Sequence, residues 1–187
     1  MTWFELRPGV YCRRYEPWDV TVGVIVGTEG VLLIDTRADE EQGAELRAHL
    51  TELDPRPPSW IVNTHAHFDH VGGNGSFPEA QVVAGGAVDV GGRLVNIHRP
   101  GRGHTGDDLV VLTDGVVFAG DLVEESGPLQ YDDLSDPREW PETNRRLLAL
   151  IQPDDLVVPG HGAVVDRAFV ARQQAFIEAN ARRGTGG

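Results

Sequence analysis

The chain has 187 residues, of which 40% are hydrophobic, and it carries a formal net charge of −13. This length and apolar content predict one folded domain spanning residues 1–187 and exclude a disordered chain, while the negative charge disfavours nucleic acid and anionic membranes as partners. All 16 basic residues are arginines and there is one cysteine, which excludes a Walker-type phosphate loop, Schiff-base catalysis and an internal disulfide.

Strands and helices alternate along the chain. Short apolar runs, turn dipeptides and helical periodicity predict the elements in chain order. The first half should contain a strand at 9–16, a hairpin at 20–36, a helix at 39–53 and strands at 59–64, 80–85 and 93–98. The second half should contain a hairpin at 108–121, a helix from 137 after an Asp136 cap, a strand at 155–160 and a helix from about 166. The last helix is expected to bury Phe169, Phe176 and Ile177, and Cys12 to pack inside the first strand. This order predicts a layered α/β protein.

The N-terminal stretch contains charged residues, which argues against a signal peptide, and no apolar run reaches the roughly 18 residues of a membrane span. We therefore expect a cytoplasmic protein that acts on a small molecule and binds neither nucleic acid nor a membrane. The sequence leaves the oligomeric state open.

A dense group of metal-binding residue types follows the predicted strand at 59–64. The stretch NTHAHFDHVGG supplies His65, His67, Asp69 and His70 within six residues. These side chains cannot share one face of a strand or helix, but they converge if the backbone curls. Imidazole and carboxylate together suit zinc, iron or manganese, so a metal site is predicted here.

Three further candidates lie in similar settings. Asp121 is expected to end the hairpin strand, and His161 follows the buried strand at 155–160. His104 lies in GRGHTG, residues 101–106, which also matches the G-x-G-x-x-G dinucleotide pattern. A dinucleotide fingerprint opens a helix, whereas a strand is predicted after this loop, so the glycines are interpreted as a turn that presents His104.

Taken together, H-x-H-x-D-H at 65–70, Gly-His-Thr at 103–105, Gly-Asp at 120–121 and Gly-His-Gly at 160–162 resemble the metallo-β-lactamase superfamily. The resemblance implies a four-layer αββα sandwich with two divalent metal ions at one edge. Zn²⁺ is the expected ion, with Fe or Mn as alternatives. The resemblance further implies that His65, His67 and His104 bind one ion and that Asp69, His70 and His161 bind the other. It also implies that Asp121 bridges the two ions and that Asp35 orders the loop that carries the first ligands.

The resemblance also implies the chemistry, in which a bridging hydroxide attacks the substrate and Asp69 and Asp121 act as catalytic residues. Carboxylate at 121, where many β-lactamases of the superfamily have cysteine, resembles the glyoxalase II-like and lactonase-like members, which hydrolyse esters, thioesters and lactones. The alternatives are a mononuclear iron enzyme similar to persulfide dioxygenases and a β-lactam or phosphodiester hydrolase.

Residues near these motifs extend the hypothesis to the substrate. Arg102, with Arg99, is a candidate to hold a substrate carboxylate, and Tyr131 is a candidate to donate its hydroxyl to a substrate oxygen. His49 and His98 are expected to be surface residues.

Overall fold

A computed structural model describes residues 2–184 of the chain. Its strands are β1 Phe4–Arg7, β2 Val10–Tyr15, β3 Val20–Val26, β4 Val31–Ile34, β5 Trp60–Val62, β6 Gln81–Val82, β7 Gly86–Asp89, β8 Leu94–His98, β9 Val110–Thr113, β10 Val116–Glu124, β11 Leu156–His161 and β12 Val165–Asp166. Its α-helices are α1 Glu40–Leu50, α2 Phe68–Val71, α3 Trp140–Leu150 and α4 Arg167–Gly184, and a 3₁₀ turn spans Asn74–Ser76.

These strands form one curled mixed sheet in the order β6-β5-β4-β3-β11-β10-β9-β8-β7, with β1 and β2 attached to β3 and β12 attached to β11. The pairs β4–β5, β5–β6 and β10–β11 are parallel. Val20 of β3 pairs with His161 of β11 at the junction of the first half of the sheet, β1–β6, and the second half, β7–β12. We call this junction the seam.

Three hydrophobic clusters mark the interfaces between four layers. Ile25 and Phe118 belong to the cluster between the two halves of the sheet. Val117 packs with Trp140 of α3 in the cluster that joins the second half to α3 and α4. Leu46 of α1 lies in the cluster that covers the first half. The layer order is therefore helix, sheet, sheet, helix, which confirms the predicted α/β fold class and four-layer αββα sandwich.

The strand β10 is buried along its whole length because it packs on both faces. Val116 and Phe118 point between the sheet halves, whereas Val117 and Ala119 point toward α3 and α4. A Cβ on Gly23 would lie 2.4 Å from the Phe118 ring, so a glycine is needed opposite that ring.

Most predicted elements are confirmed, and the differences have local causes. Strands β1, β7 and β12 and the short helix α2 were not predicted. As predicted, Asp136 acts as a cap, since its Oδ1 accepts hydrogen bonds from the Arg138 and Glu139 amides, but residues 137–139 form a turn and helix α3 begins at Trp140 rather than at 137. The prediction that Phe176 is buried is wrong, because its side chain is 58% exposed. No helix among residues 2–184 is long and apolar enough to span a membrane.

Candidate metal centre

The seven predicted ligands come together at the seam. They reach it from the loop after β5, the short helix α2, the loop before β9, the strand β10 and the end of β11. Their ligand atoms form two groups in which all atoms lie within 4.8 Å of one another: His65, His67, His104 and Asp121, and Asp69, His70 and His161. A third, overlapping group joins Asp121 and His161 to Glu124, which the sequence did not single out.

The Asp121 carboxylate contacts both groups. Its Oδ2 lies 3.4 Å from His104 Nε2 and 3.4 Å from His161 Nε2, and its Oδ1 lies 3.4 Å from His70 Nε2. The prediction that Asp121 ends its strand is wrong, since β10 continues to Glu124.

An irregularity in β10 aims Asp121 into the site. The register with β11 shifts on both sides of Gly120, whose φ is +52°. A Cβ at Gly120 would lie 2.7 Å from Thr64 Cβ, so this position combines a left-handed backbone with a close approach to the loop that precedes His65.

Hydrogen bonds to the protein fix the tautomers of three histidines. His70 donates from Nδ1 to Asp35 Oδ2 over 2.8 Å, and His161 donates from Nδ1 to the Trp18 carbonyl over 2.8 Å. His65 Nδ1 lies 3.1 Å from the Thr64 hydroxyl, which donates its own proton to Asp35. In all three rings Nε2 is therefore the nitrogen that faces the site, where it can bind a proton or a metal ion.

The ring nitrogens that face the site lie within hydrogen-bond distance of one another. His67 Nδ1 is 2.9 Å from His104 Nε2 and 3.1 Å from His65 Nε2, and His70 Nε2 is 3.3 Å from His161 Nε2. Two such nitrogens repel one another unless a proton or a metal ion lies between them.

A buried carboxylate oxygen of the site also suits a metal ion. Asp121 Oδ1 has no hydrogen-bond partner among the described residues. A buried carboxylate oxygen without a donor is costly, and a divalent cation would satisfy it. The donor set, five imidazole nitrogens and two carboxylates without a thiolate, fits divalent zinc, iron or manganese.

The electrostatics favour a cation at this position. Burial lowers the pKa of His65 well below its ordinary value, so this ring is neutral. Burial also disfavours a charge on His70 and His161, but nearby carboxylates outweigh it. Asp121 and Asp35 raise the pKa of His70 to about 9. Asp121 and Asp69 raise the pKa of His161 to about 11. The carboxylates thus create a negative potential at Nε2, which stabilises a proton or, equally, a metal ion that replaces it.

The carboxylate of Asp108 holds the loop that carries His104. Both oxygens of Asp108 lie 3.0 Å from the Thr105 amide, and Asp108 Oδ1 accepts from the Thr105 hydroxyl over 2.7 Å. Burial raises the pKa of Asp108 to about 6. The His104 ring packs edge-on against Trp140. The loop leads into β9, as predicted, and not into a helix.

A cavity of about 710 Å³ opens over the ligands, and its wall includes Tyr131. Arg99 and Arg102 do not line it. Their guanidinium groups are directed at Asp107 and Asp136, at distances of 3.2 and 3.6 Å. The structure therefore gives no support to the expectation that Arg102 anchors a substrate carboxylate.

The two remaining histidines lie apart from the site. His98 is an exposed residue of β8. His49 of α1 is half-buried rather than a surface residue, with its Nε2 3.3 Å from Arg13 and its Nδ1 3.2 Å from the Tyr15 hydroxyl.

Known proteins are similar to this chain in sequence and in fold. The family model described as "Metallo-beta-lactamase superfamily" matches residues 15–94. The chain is similar to metallo-beta-lactamase domain-containing protein 1 of Mus musculus, with 33% identity over 159 residues that cover 72% of this chain and 60% of that protein. It is also similar to metallo-beta-lactamase type 2 of Bacillus cereus, with 26% identity over 197 residues that cover 90% of this chain and 76% of that protein. The chain thus spans about 60% of the length of the mouse relative.

Solved structures share the fold. A metallo-β-lactamase from Pseudomonas aeruginosa in its mono-zinc form superposes with a TM-score of 0.80 and 21% identity, covering 96% of each chain. A metallo-β-lactamase from Pontibacter korlensis gives a TM-score of 0.78 and 22% identity, covering 94% of this chain and 98% of that one.

Proposed function

This chain belongs to the metallo-β-lactamase superfamily, and from that premise we propose that it is a dinuclear metal-dependent hydrolase of small-molecule esters, thioesters or lactones. One observation carries the proposal: a buried carboxylate, Asp121, lies between two groups of imidazole and carboxylate ligands and approaches ring nitrogens of both.

His65, His67 and His104 would hold one ion and Asp69, His70 and His161 the other, with Asp121 shared. Bound divalent cations supply a hydroxide nucleophile at neutral pH and polarise the bond that is cleaved. We expect Zn²⁺, with Fe or Mn as alternatives, because nitrogen and carboxylate ligands suit all three.

Asp69 is the proposed proton carrier. Its side chain lines the cavity, and its Oδ2 lies 3.3 Å from His161 Nε2. Burial raises the pKa of Asp69, but the hydrogen bond to His161 and the charges of His70 and His161 together outweigh burial and lower it, so the group is a carboxylate at neutral pH. A carboxylate at the cavity wall can accept a proton during attack and return it to the leaving group.

The substrate class rests on the ligand at 121. A carboxylate there, where many β-lactamases of the superfamily have cysteine, supports esters, thioesters and lactones. Similarity to the Bacillus cereus protein, whose name refers to β-lactams, makes a β-lactam the appropriate competing substrate.

A substrate panel tests the proposal. Protein loaded with Zn²⁺, Mn²⁺ or Fe²⁺ should be assayed with a 4-nitrophenyl ester, a thioester, a lactone and a chromogenic cephalosporin. We expect hydrolysis of at least one of the first three, loss of that activity on chelation, and recovery on adding metal. Consumption of O₂ with a persulfide substrate, without hydrolysis of the panel, would instead support the iron oxygenase alternative.

A further inference from the structure

The cavity wall beyond the metal ligands is aromatic. Trp18 and Phe68 meet edge to face at 5.4 Å on one side and are 49% and 56% exposed. On the other side Tyr131 is 46% exposed and packs on Trp140 at 5.0 Å. Large exposed aromatic side chains grouped around one cavity are typical of a surface that binds a ligand.

The same wall is acidic. Glu124 and Asp132 line the cavity beside the proposed ligands Asp69 and Asp121, whose own charges would be balanced by bound metal ions. None of the described lining residues is an arginine, and the chain has no lysine. Apart from the histidines, the wall therefore offers no cationic side chain to a substrate.

These two features act in the same direction on the part of a substrate that does not react. A carboxylate there would lose water without gaining a cationic partner, which is unfavourable. An apolar or aromatic group would pack on Trp18 and Phe68, and a cationic group would be attracted by the aromatic faces and by Glu124 and Asp132.

We propose that this site selects substrates whose non-reacting part is apolar or aromatic and either uncharged or cationic, and that it discriminates against substrates carrying a carboxylate there. This inference rests on the proposed hydrolase function and names its substrate class. It replaces the role that the sequence suggested for Arg102.

The first test is a matched series of 4-nitrophenyl esters. Their acyl chains have equal length and end in trimethylammonium, tert-butyl or carboxylate. We expect kcat/KM for the first two to exceed that for the carboxylate by roughly tenfold or more, the size of one charge interaction at a partly buried site. Equal values, or a preference for the carboxylate, would overturn the inference while leaving the hydrolase function intact.

A gain-of-charge variant sharpens this test. Gln130 is an exposed residue of the cavity wall whose side-chain amide donates to the Pro128 carbonyl, whereas its contact with His104 is made by the backbone and is kept in any side-chain variant. Gln130→Arg should raise kcat/KM for the carboxylate ester and leave kcat/KM for the tert-butyl ester unchanged. Gln130→Met, which adds no charge, should leave the ratio of these two values as it is in the wild type. A Gln130→Arg variant with the wild-type order of the three esters would contradict the charge argument.

Binding separates the inference from the function. Methyl ketones with the same three acyl chains are not hydrolysed, and their affinities for the metal-loaded protein can be measured by calorimetry. The expected order of affinity is trimethylammonium and tert-butyl above carboxylate. That order without turnover of any ester would support the inference and count against the hydrolase proposal. Equal binding of all three ketones, or no binding, would overturn the inference.

Discussion

The carboxylate of Asp35 and the imidazole of His70 share a hydrogen bond of 2.8 Å, and both side chains are almost completely buried. Asp35 also accepts from the Thr64 amide and hydroxyl. One side chain thus ties β4 to the loop that carries the first histidines and to the helix that carries His70. Asp35 adopts a φ of +62°, an unusual backbone conformation that asparagine also tolerates.

This relationship predicts weaker metal binding in Asp35→Asn. The amide has no net charge to hold the His70 Nδ1 proton, so the ring loses its fixed tautomer. We expect zinc affinity to fall by roughly 10–100-fold with the fold retained, measured by competition with a chromophoric chelator. Asp114→Asn is the matched control and should keep the wild-type zinc affinity. Asp114 lies in the β9–β10 turn, also has a positive φ, and forms an ion pair with Arg93. Equal affinity of Asp35→Asn and wild type would refute the role of Asp35.

Gly120→Ala should destabilise the protein. The new Cβ would require a left-handed backbone and would lie 2.7 Å from Thr64 Cβ. We expect the free energy of unfolding to fall by about 1–3 kcal/mol in urea titrations. Gly127→Ala is the control, since nothing lies within 4 Å of its Cβ position and its φ is not positive. A wild-type free energy for Gly120→Ala would show that the irregularity in β10 does not need glycine.

Chelation should lower thermal stability. Metal ions bound only to the folded state would contribute about 2.7 kcal/mol per site at a hundredfold excess over Kd. For a chain of this size that corresponds to a fall in Tm of roughly 5–10 °C per site when metal is removed. His98→Ala, which changes an exposed histidine of β8, should show the same fall in calorimetry. An unchanged Tm on full removal of metal would count against metal binding by the folded protein.

Asp121→Asn should abolish hydrolysis while the protein stays folded. The amide keeps the shape of the carboxylate but removes the negative charge that both ligand groups approach. We expect kcat/KM to fall by at least about 100-fold, with an unchanged circular dichroism spectrum. Unaltered hydrolysis by a folded, metal-loaded variant would exclude Asp121 from the chemistry.

Local sequence signals predicted most of the architecture. Alternating apolar residues and the Asp114–Gly115 dipeptide predicted the β9–β10 hairpin, in which both turn residues have positive φ. The strand β1 was missed because it has only four residues, FELR, of which Leu6 alone is buried, and so short a stretch gives a weak strand signal. The strand β7 was missed for the same reason, with Val88 as its buried residue.

The candidate ligands were predicted because their residue types and order are distinctive, whereas their supports are set by distant contacts. The Trp18 carbonyl lies 143 positions from His161, and a backbone atom leaves no trace in residue identity. Asp132, whose Oδ2 is 2.8 Å from His67 Nε2, lies in an acidic loop that resembles any solvated turn. Asp108 had a local signal, the spacing T-x-x-D, that could have identified it as the residue holding the His104 loop.

The number of metal ions per chain tests the central claim most directly. Native mass spectrometry of protein saturated with Zn²⁺, checked by elemental analysis, should give two ions per chain for wild type and for His98→Ala. His161→Ala should retain one, because only the group of Asp69, His70 and His161 loses an imidazole. A wild-type chain that binds one ion or none at saturation would contradict the dinuclear site.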